Sequence, residues 1–529
     1  MFSSSRRGFL RGLAGISAMG AVSGCFSIGR GNGKVKLAAI GVGGKGYSDW
    51  TPMLKTGMAE MVAFCDADEG IYKACINKAA KEGFGDLSKV PFYSDYRDML
   101  NDADKLGIEA VTIATPDHVH AAAAILAMKK GIHVYVEKPL VRTLWELDYF
   151  EKTAKDYGVV VQMGNQGSSL DSMRRCTEVI QSGILGEVKE VHVWTNRPVW
   201  PQGLGVDKYI KSRVGTADPI RKGLDWNAWL GPAEDRPFLD KYPAGTKVYD
   251  PWGLGQNVYH KFTWRGFLDF GAGAFGDMAC HTMNLPFRGL ELAGVSDAEC
   301  IKIEEKNDTA FPSVSVVKLT YKARKAKFGQ NAGKMLAPVT LYWYDGSYSP
   351  DGKACISAQK PAKEIMPKVL ETYGEIPNTG CYIIGSEGAV LMRDDYGAKC
   401  DIALNADKKF IDVFKHPAAL AVKRAIPFCT APAAEGGDQG STVEMKGFAE
   451  GHYGEFLRAI RGIGPVYEQT NSRCFSDIEY CIPQMEGILV GVVAQQVEGK
   501  IEWDSATQSF DKVEANALIK PYIRKGFEF

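Results

Sequence analysis

The stretch "VKLAAIGVGGKG", residues 35–46, is the most informative part of the sequence. Its apolar residues run into glycines, as in a buried strand of a parallel sheet that ends in a tight turn. Gly41, Gly43 and Gly46 form the pattern G-x-G-x-x-G. The three glycines serve the turn, the close approach of a pyrophosphate and the packing of the next helix. The stretch therefore predicts the phosphate-binding turn of a dinucleotide-binding domain.

A second apolar strand, "AEMVAFCDAD", residues 59–68, follows at the spacing expected of such a domain and leads to Asp66. An acidic residue here can bind both hydroxyls of an adenosine ribose, and its charge would repel the 2′-phosphate of NADP. The sequence therefore predicts NAD as the cofactor. The alternative interpretation of Asp66 is a helix-capping or turn residue.

Strands and helices continue to alternate as far as Gln166, which indicates a doubly wound parallel sheet. Asp117 is predicted to cap the helix "DHVHAAAAILAMKKG", residues 117–131, and Thr143 and Glu146 are predicted to form a capping box.

We therefore assign residues 34–165 to an NAD-binding Rossmann domain. Ligands of such sheets bind at the carboxyl ends of the strands. The predicted cofactor-binding residues are Gly41, Val42, Gly43, Gly44, Lys45, Gly46, Asp66, Thr115, Pro116, His118, His120, Glu137, Lys138, Asn165 and Gln166.

A different pattern follows in residues 166–529, where apolar and polar residues alternate with period two. "SVSVVKLTYKA" (313–323) and "PVTLYWYDG" (338–346) predict strands with one open face. "CYIIGSEGAVLMRD" (381–394) predicts a hairpin that turns at residues 385–388. An α+β substrate-binding domain is the expected architecture.

Residues 198–265 are rich in aromatic residues and turns, and six of the ten tryptophans lie between Trp194 and Trp264. One interpretation is a satellite core beneath long loops. The other is a sugar-binding cleft, because aromatic faces pack against the C–H faces of sugar rings. On the second interpretation the candidate substrate residues are Arg197, Trp200, His260 and Trp264.

The segment "GAFGDMACH", residues 273–281, carries the predicted chemistry. In a helix, Asp277 and His281 would share a face. Hydride removal from an alcohol needs a base for the hydroxyl proton, and a histidine oriented by a carboxylate suits this task. Lys138, at the end of a cofactor-domain strand, would polarise the same oxygen. The alternative interpretation is a capping aspartate and a core histidine.

The segments "GVGGKG" (41–46), "ATPDHVHA" (114–121) and "VEKP" (136–139) together resemble the Gfo/Idh/MocA family of sugar oxidoreductases. This resemblance implies that Lys138, Asp277 and His281 form the catalytic set. It also implies a large open antiparallel sheet in the second domain and a homo-oligomer, either a dimer or a tetramer.

Residues 1–33 are predicted to be an export signal and linker. Arg6 and Arg7 match a twin-arginine signal, a short apolar run follows, and small residues precede Cys25 as in a lipobox. The expected location is the periplasm, with lipid on Cys25 as the only membrane anchor. The alternative interpretation is an ordinary N-terminal extension with chance arginines.

The formal net charge is zero, which argues against a nucleic-acid partner. The cysteine and histidine spacings match no zinc-ligand pattern, so no metal is predicted.

The predicted function is that of an NAD-dependent oxidoreductase that removes a hydride from a hydroxyl of a sugar or glycoside. Because free NAD is scarce outside the cytoplasm, an exported enzyme would keep the cofactor tightly bound.

One alternative is redox-neutral glycoside hydrolysis, as in a related NAD-dependent α-N-acetylgalactosaminidase family. This chain departs from that family, because it has "WRGFLDFGAGAFGDMACH" (264–281) in place of a "YPTHGLGP"-like segment. A second alternative is a non-catalytic sugar-binding lipoprotein.

Overall fold

The structure is a computed structural model that describes residues 33–253, 257–348, 351, 353–355, 358–427 and 451–529. The predicted export signal, with Arg6, Arg7 and Cys25, lies outside the described residues. In the part of the chain that is described, no helix combines the length and the apolar character needed to cross a membrane.

The first sheet lies at the N-terminal end of the described chain. Its strands are β1 (Val35–Ile40), β2 (Ala59–Cys65), β3 (Phe92–Tyr93), β4 (Ala110–Ile113), β5 (His133–Val136) and β6 (Val161–Met163). All six are parallel, in the order β3-β2-β1-β4-β5-β6. The central strand β4 is buried along its whole length, which explains its uninterrupted apolar run. The predicted doubly wound sheet is confirmed.

Six helices connect these strands. They are α1 (Lys45–Lys55), α2 (Glu69–Lys81), α3 (Tyr96–Asn101), α4 (Ala103–Leu106), α5 (Asp117–Met128) and α6 (Leu144–Tyr157). The predicted capping box at the start of α6 is confirmed, because the side chains of Thr143 and Glu146 each accept from the other's backbone N–H. The predicted cap of α5 is wrong. Pro116 occupies the N-cap position, no side chain caps the helix, and Asp117 is its first residue.

The second sheet is larger. Its strands are β7 (Val188–Trp194), β8 (Val295–Glu304), β9 (Val314–Tyr321), β12 (Val339–Asp345), β13 (Gly380–Gly385), β14 (Gly388–Met392), β15 (Cys400–Leu404), β16 (Ile411–Asp412), β17 (Ile501–Asp504) and β18 (Ser509–Phe510). Two short strands, β10 (Arg324–Lys325) and β11 (Met335–Leu336), form a separate hairpin. The ten-strand order is β16-β15-β14-β13-β7-β12-β9-β8-β17-β18. Neighbours are antiparallel except for the parallel pair β7 and β12. The predicted strands and hairpin of this domain are confirmed as β9, β12 and the pair β13–β14.

The remaining helices are α7 (Asp171–Gln181), α8 (Leu204–Ser212), α9 (Trp226–Leu230), α10 (Gly273–Thr282), α11 (Asn284–Gly289), α12 (Pro367–Tyr373), α13 (Pro417–Ala421), α14 (His452–Ile460), α15 (Ile478–Ala494) and α16 (Val513–Asn516). The predicted helix over "GAFGDMACH" is confirmed as α10. Helix α14 returns to the first sheet, where Phe456 and Leu457 join the apolar core of β1 and α1. The core of the Rossmann domain therefore includes a helix from far beyond residue 165.

The aromatic segment that follows β7 forms a cluster of its own. Trp226, Trp229, Tyr259, Phe267 and Phe270 are buried together, and the first two rings stack with centroids 4.7 Å apart. This part of the segment fits the interpretation as a satellite core.

Candidate active site

A cleft of about 790 Å³ runs from the glycine-rich turn to α10, with walls from both domains. Most of the predicted site residues line it: Gly41, Gly43, Gly44, Lys45, Asp66, Thr115, Pro116, His120, Glu137, Lys138, Gln166, Arg197, Trp200, His260, Trp264, Asp277 and His281. The fold thus brings together predicted site residues from both domains.

The glycine-rich turn has the geometry that a pyrophosphate requires. Gly41 has a φ of +81°, and a Cβ at Gly46 would lie 1.9 Å from the carbonyl oxygen of Gly41. Helix α1 therefore packs directly on the end of β1. No side chain caps α1, and a Cβ at Gly44 would have no neighbour within 4 Å. No side chain therefore competes with an anion for the start of the helix, although Gly46 N already donates to Gly43 O at 3.0 Å, and the turn fits a dinucleotide.

Asp66 lies beside this turn, at the end of β2. Its Oδ2 accepts from the backbone N–H of Val42 at 2.8 Å, and its Oδ1 accepts from that of Asp68 at 3.0 Å. Each carboxylate oxygen has a further lone pair for a ribose hydroxyl. Burial raises the pKa of Asp66, and the two backbone N–H groups oppose that shift. The position is the one that the NAD prediction requires.

Lys45, the first residue of α1, joins three elements at the floor of the cleft. Its Nζ lies 2.6 Å from Asp49 Oδ1, 3.1 Å from the hydroxyl of Tyr453 and 3.2 Å from Glu137 Oε1. The lysine therefore links α1, the loop after β5 and α14.

Lys138 and Asp277 meet across the boundary between the two domains. Lys138 Nζ donates to Asp277 Oδ1 at 2.9 Å and to the Asp277 carbonyl oxygen at 3.0 Å. Arg265 Nε lies 3.3 Å from the same Oδ1. Burial alone would raise the pKa of Asp277, but the charges of Lys138 and Arg265 hold it well below its usual range. This carboxyl group is ionised, and it fixes the lysine in the cleft.

His281 lies one helical turn after Asp277, and it also faces the cleft. Its Nδ1 is buried without a protein partner, which leaves Nε2 as the ring nitrogen facing the cleft. Its ring packs edge-on against Tyr396, with centroids 4.7 Å apart. Burial, assisted by the charge of Lys138, lowers the pKa of His281 well below 6.5. The imidazole is therefore neutral and able to accept a proton. In the structure Asp277 binds Lys138 and Arg265 rather than orienting this ring.

Sequence reasoning missed three acidic or basic residues of the cleft, Asp117, Lys261 and Arg265. Asp117 lines it and is 2% exposed, and burial together with the charge of Asp277 raises its pKa to about 8. The sequence could have indicated Asp117, because it lies four residues after the end of β4, in "TPDHVH". Arg265 reaches Asp277 from a long loop whose path no sequence pattern reveals.

The comparisons with known proteins agree with this geometry. Residues 35–165 match the model of the Gfo/Idh/MocA oxidoreductase family, NAD-binding Rossmann fold. Residues 35–165 therefore form an NAD-binding Rossmann domain of the kind found in that family. The resemblance and the NAD cofactor inferred from the sequence are confirmed.

Two curated relatives illustrate the similarity. Glycosyl hydrolase family 109 protein 2 of Akkermansia muciniphila is 31% identical over 161 residues, which are 30% of this chain and 33% of that protein. Levoglucosan dehydrogenase of Pseudarthrobacter phenanthrenivorans is 34% identical over 142 residues, which are 26% of this chain and 36% of that protein. The chain thus spans about a third of the length of these relatives.

A solved structure extends the likeness to the second domain. The inositol dehydrogenase homolog from Azotobacter vinelandii, in complex with NADH and myo-inositol, gives a TM-score of 0.52 at 16% identity. The match covers 90% of this chain and 99% of that one. At this identity the comparison shows the fold alone.

Four predicted cofactor residues do not line the cleft. The backbone N–H of Val42 binds Asp66, and Gly46 allows α1 to pack closely on the end of β1. Asn165 is buried, and neither of its amide atoms has a protein partner. His118 points away from the cleft, because α5 turns it toward the aromatic segment, where its Nε2 lies 3.1 Å from the carbonyl oxygen of Trp229. Burial lowers the pKa of His118 to about 3.

The four predicted substrate residues separate into two groups. Arg197, Trp200 and Trp264 line the cleft, and Arg265 lies over the Trp264 ring at 4.2 Å. His260 also lines the cleft, but at its nucleotide end, with its Nε2 3.0 Å from Asp68 Oδ2. Among the described residues, no group of three or more His, Cys, Asp and Glu side chains could hold a metal ion.

Proposed function

We propose that the protein is an NAD-dependent oxidoreductase that removes a hydride from a hydroxyl-bearing carbon of a sugar or glycoside. The observation that carries this proposal is the 2.9 Å contact of Lys138 Nζ with Asp277 Oδ1 across the two domains. It lies in the cleft that also contains the glycine-rich turn, Asp66 and His281.

Lys138 is suited to hold the reacting oxygen. Asp277 occupies two of the three donors of its ammonium group, and the third remains for a substrate hydroxyl. The positive charge would stabilise that oxygen as its proton leaves. Because the carboxylate and the carbonyl oxygen of Asp277 already fix the ammonium group, little reorganisation is needed when the substrate binds.

His281 would take the hydroxyl proton at Nε2, since its imidazole is neutral. The glycine-rich turn and Asp66 would hold NAD, which supplies the hydride acceptor when bound. Loss of the proton and the hydride would convert the alcohol into a carbonyl group. Trp200 and Trp264 also line the cleft, but they are 1% and 5% exposed, so either ring would meet a sugar through only a small part of its surface.

A second candidate is redox-neutral glycoside hydrolysis, in which the hydride returns to the sugar after C–O cleavage. The relative from glycosyl hydrolase family 109 favours this candidate, although its similarity covers only 30% of this chain. The same residues would serve the first proton and hydride transfer in both reactions.

Absorbance spectra recorded while sugars and glycosides are added to the NAD-loaded protein test the proposal. A reduced-nicotinamide band that persists is expected of an oxidoreductase. Release of a free sugar without a persisting band would support hydrolysis instead. Sugar binding without either signal would contradict both and favour a sugar-binding protein. Lys138→Ala is the control, because it should bind NAD but give no band.

The N-terminal motif supports export by the twin-arginine route and lipid anchoring in the periplasm. Replacement of Arg6 and Arg7 by lysine should keep the protein in the cytoplasm, and Cys25→Ala should release it from the membrane. A Cys25→Ala protein that stays with the membrane would contradict the lipobox interpretation. The family resemblance also supports a dimer or tetramer, which the molecular mass in solution tests.

A further inference from the structure

Two segments of the aromatic region, residues 223–233 and 257–270, pack against the Rossmann domain near Asp66. We refer to them as the cover segments. Trp229, His260 and Lys261 of these segments line the same cleft as Asp66 and the glycine-rich turn. The wall that faces the nucleotide end is therefore formed by a part of the chain outside the Rossmann domain.

The first cover segment is joined to the turn between β2 and α2 through the backbone. Gly223 O accepts from Glu69 N at 2.9 Å, and Asp225 N donates to Ala67 O at 2.8 Å. An isolated β-bridge pairs Asp68 with Leu224 between these bonds. The turn that carries Asp66 is thus paired directly with the first cover segment.

The second cover segment is attached to the same turn by a side chain. Asp68 Oδ1 caps α2 through Gly70 N and Ile71 N, whereas its Oδ2 lies 3.0 Å from His260 Nε2. Trp229 Nε1 donates to His260 Nδ1 at 3.1 Å. Because an indole N–H only donates, His260 must carry its proton on Nε2 and donate it to Asp68. The tautomer of the histidine and the direction of this bond are therefore fixed.

Two further contacts hold the cover segments in place. His118 of α5 binds the carbonyl oxygen of Trp229, and its backbone N–H donates to Phe270 O at 3.2 Å. Arg524, near the C-terminus, donates to Gly231 O at 3.0 Å and to Asn227 O at 2.7 Å. The cover segments are thus also bonded to α5 and to Arg524 near the C-terminus.

We propose that the cover segments retain the dinucleotide and that the hydrogen bond from His260 to Asp68 is the contact that must open for NAD to leave. This inference rests on the proposed NAD-dependent function. A nucleotide whose ribose is bound at Asp66 would lie between the glycine-rich turn and the cover. Asp68 and His260 are positioning residues here, and they act on the rate of NAD release rather than on hydride transfer.

The experiment loads the full-length protein with isotope-labelled NAD and follows its release into an excess of unlabelled NAD. Asp68→Asn keeps an N-cap for α2, but its amide group cannot accept from His260 if it caps the helix through its oxygen. Release should become about 10- to 100-fold faster, since a bond to a charged acceptor is lost. His260→Ala should act similarly, whereas the amide N–H of His260→Gln should restore release to within about threefold of wild type.

Asp407→Asn is the matched control, because Asp407 Oδ2 binds His416 Nε2 at 2.9 Å outside the cleft. It should leave release unchanged, even if it lowers the melting temperature as much as Asp68→Asn does. Release from Asp68→Asn and His260→Ala at the wild-type rate would overturn the role of the cover while leaving the proposed function intact. A wild-type protein that binds no NAD would overturn both.

Discussion

The two ends of the cleft are built in different ways. The nucleotide end is made mainly of backbone, with Gly41 and Gly46 in close contact and Asp66 bound to backbone N–H groups. The other end is made of side chains, where Lys138 meets Asp277, a residue 139 positions further along the chain. The first end should therefore be sensitive to added atoms, and the second to lost functional groups.

The largest effect is expected from an added methyl group at the nucleotide end. In Gly46→Ala the new Cβ would lie 1.9 Å from the carbonyl oxygen of Gly41, a backbone atom that cannot move alone. We expect loss of NAD binding in calorimetry and a fall in unfolding free energy of about 3 kcal/mol or more.

The control is Gly454→Ala, also in a helix, where the nearest atom to the new Cβ is Arg458 Nη1 at 3.0 Å, the end of a flexible side chain. It should bind NAD normally. Normal NAD binding by Gly46→Ala would show that the turn is less rigid than its geometry implies.

The second largest effect is expected from a lost group at the other end. Lys138→Ala should slow hydride transfer about 100- to 10,000-fold while NAD binding stays intact. His281→Ala should slow hydride transfer by a factor in the same range. The double variant should be little worse, because residues that act as a unit are non-additive. Single-turnover measurements of reduced nicotinamide check these values.

Lys360→Ala is the matched control for Lys138, because Lys360 Nζ also donates to a carbonyl oxygen, that of Ile376, at 2.6 Å. It lies outside the cleft and should not change hydride transfer. Unchanged hydride transfer in Lys138→Ala would refute the catalytic role of the contact between the two domains.

The same contrast explains how much the sequence could predict. The sheet, the glycine-rich turn, Asp66 and the helix with Asp277 and His281 follow from local patterns, and all are present. Arg265 and the true position of His260 were not predictable, because both depend on the path of a loop through space. His118 was misplaced because a strand-end position does not reveal which way a helix turns its side chains.

An effect that appears only as the pH changes concerns Asp117, the buried acid beside Asp277. The pKa of Asp117 is raised to about 8 by burial and by Asp277, against an ordinary value near 3.8. At a pH between these two pKa values, Asp117 keeps its proton in the folded protein but has lost it in the unfolded chain. The free energy of unfolding therefore falls as the pH rises.

Asp117→Asn does not titrate. Its stability relative to wild type should therefore grow from pH 5 to pH 8, by at most about 4 kcal/mol at about 1.4 kcal/mol per pH unit. Urea unfolding at each pH measures this difference, with Asp156→Asn on the exposed surface as the control. A difference that shrinks with rising pH would contradict the raised pKa.

The smallest expected effect distinguishes the two interpretations of the aromatic segment. Trp264 lines the cleft, and its Nε1 donates to Lys261 O at 3.1 Å, so its ring is held in a fixed position. Trp226 belongs to the same buried cluster as Trp264 but does not line the cleft. If the wall of the cleft binds a sugar ring, Trp264→Phe should weaken substrate binding by about 1 kcal/mol, or about fivefold in KM, with the hydride step unchanged. Trp226→Phe should lower the melting temperature without changing KM. Equal loss of stability and an unchanged KM in both variants would assign Trp264 to the satellite core, and the sugar would then have to be held by the polar residues around Lys138 alone.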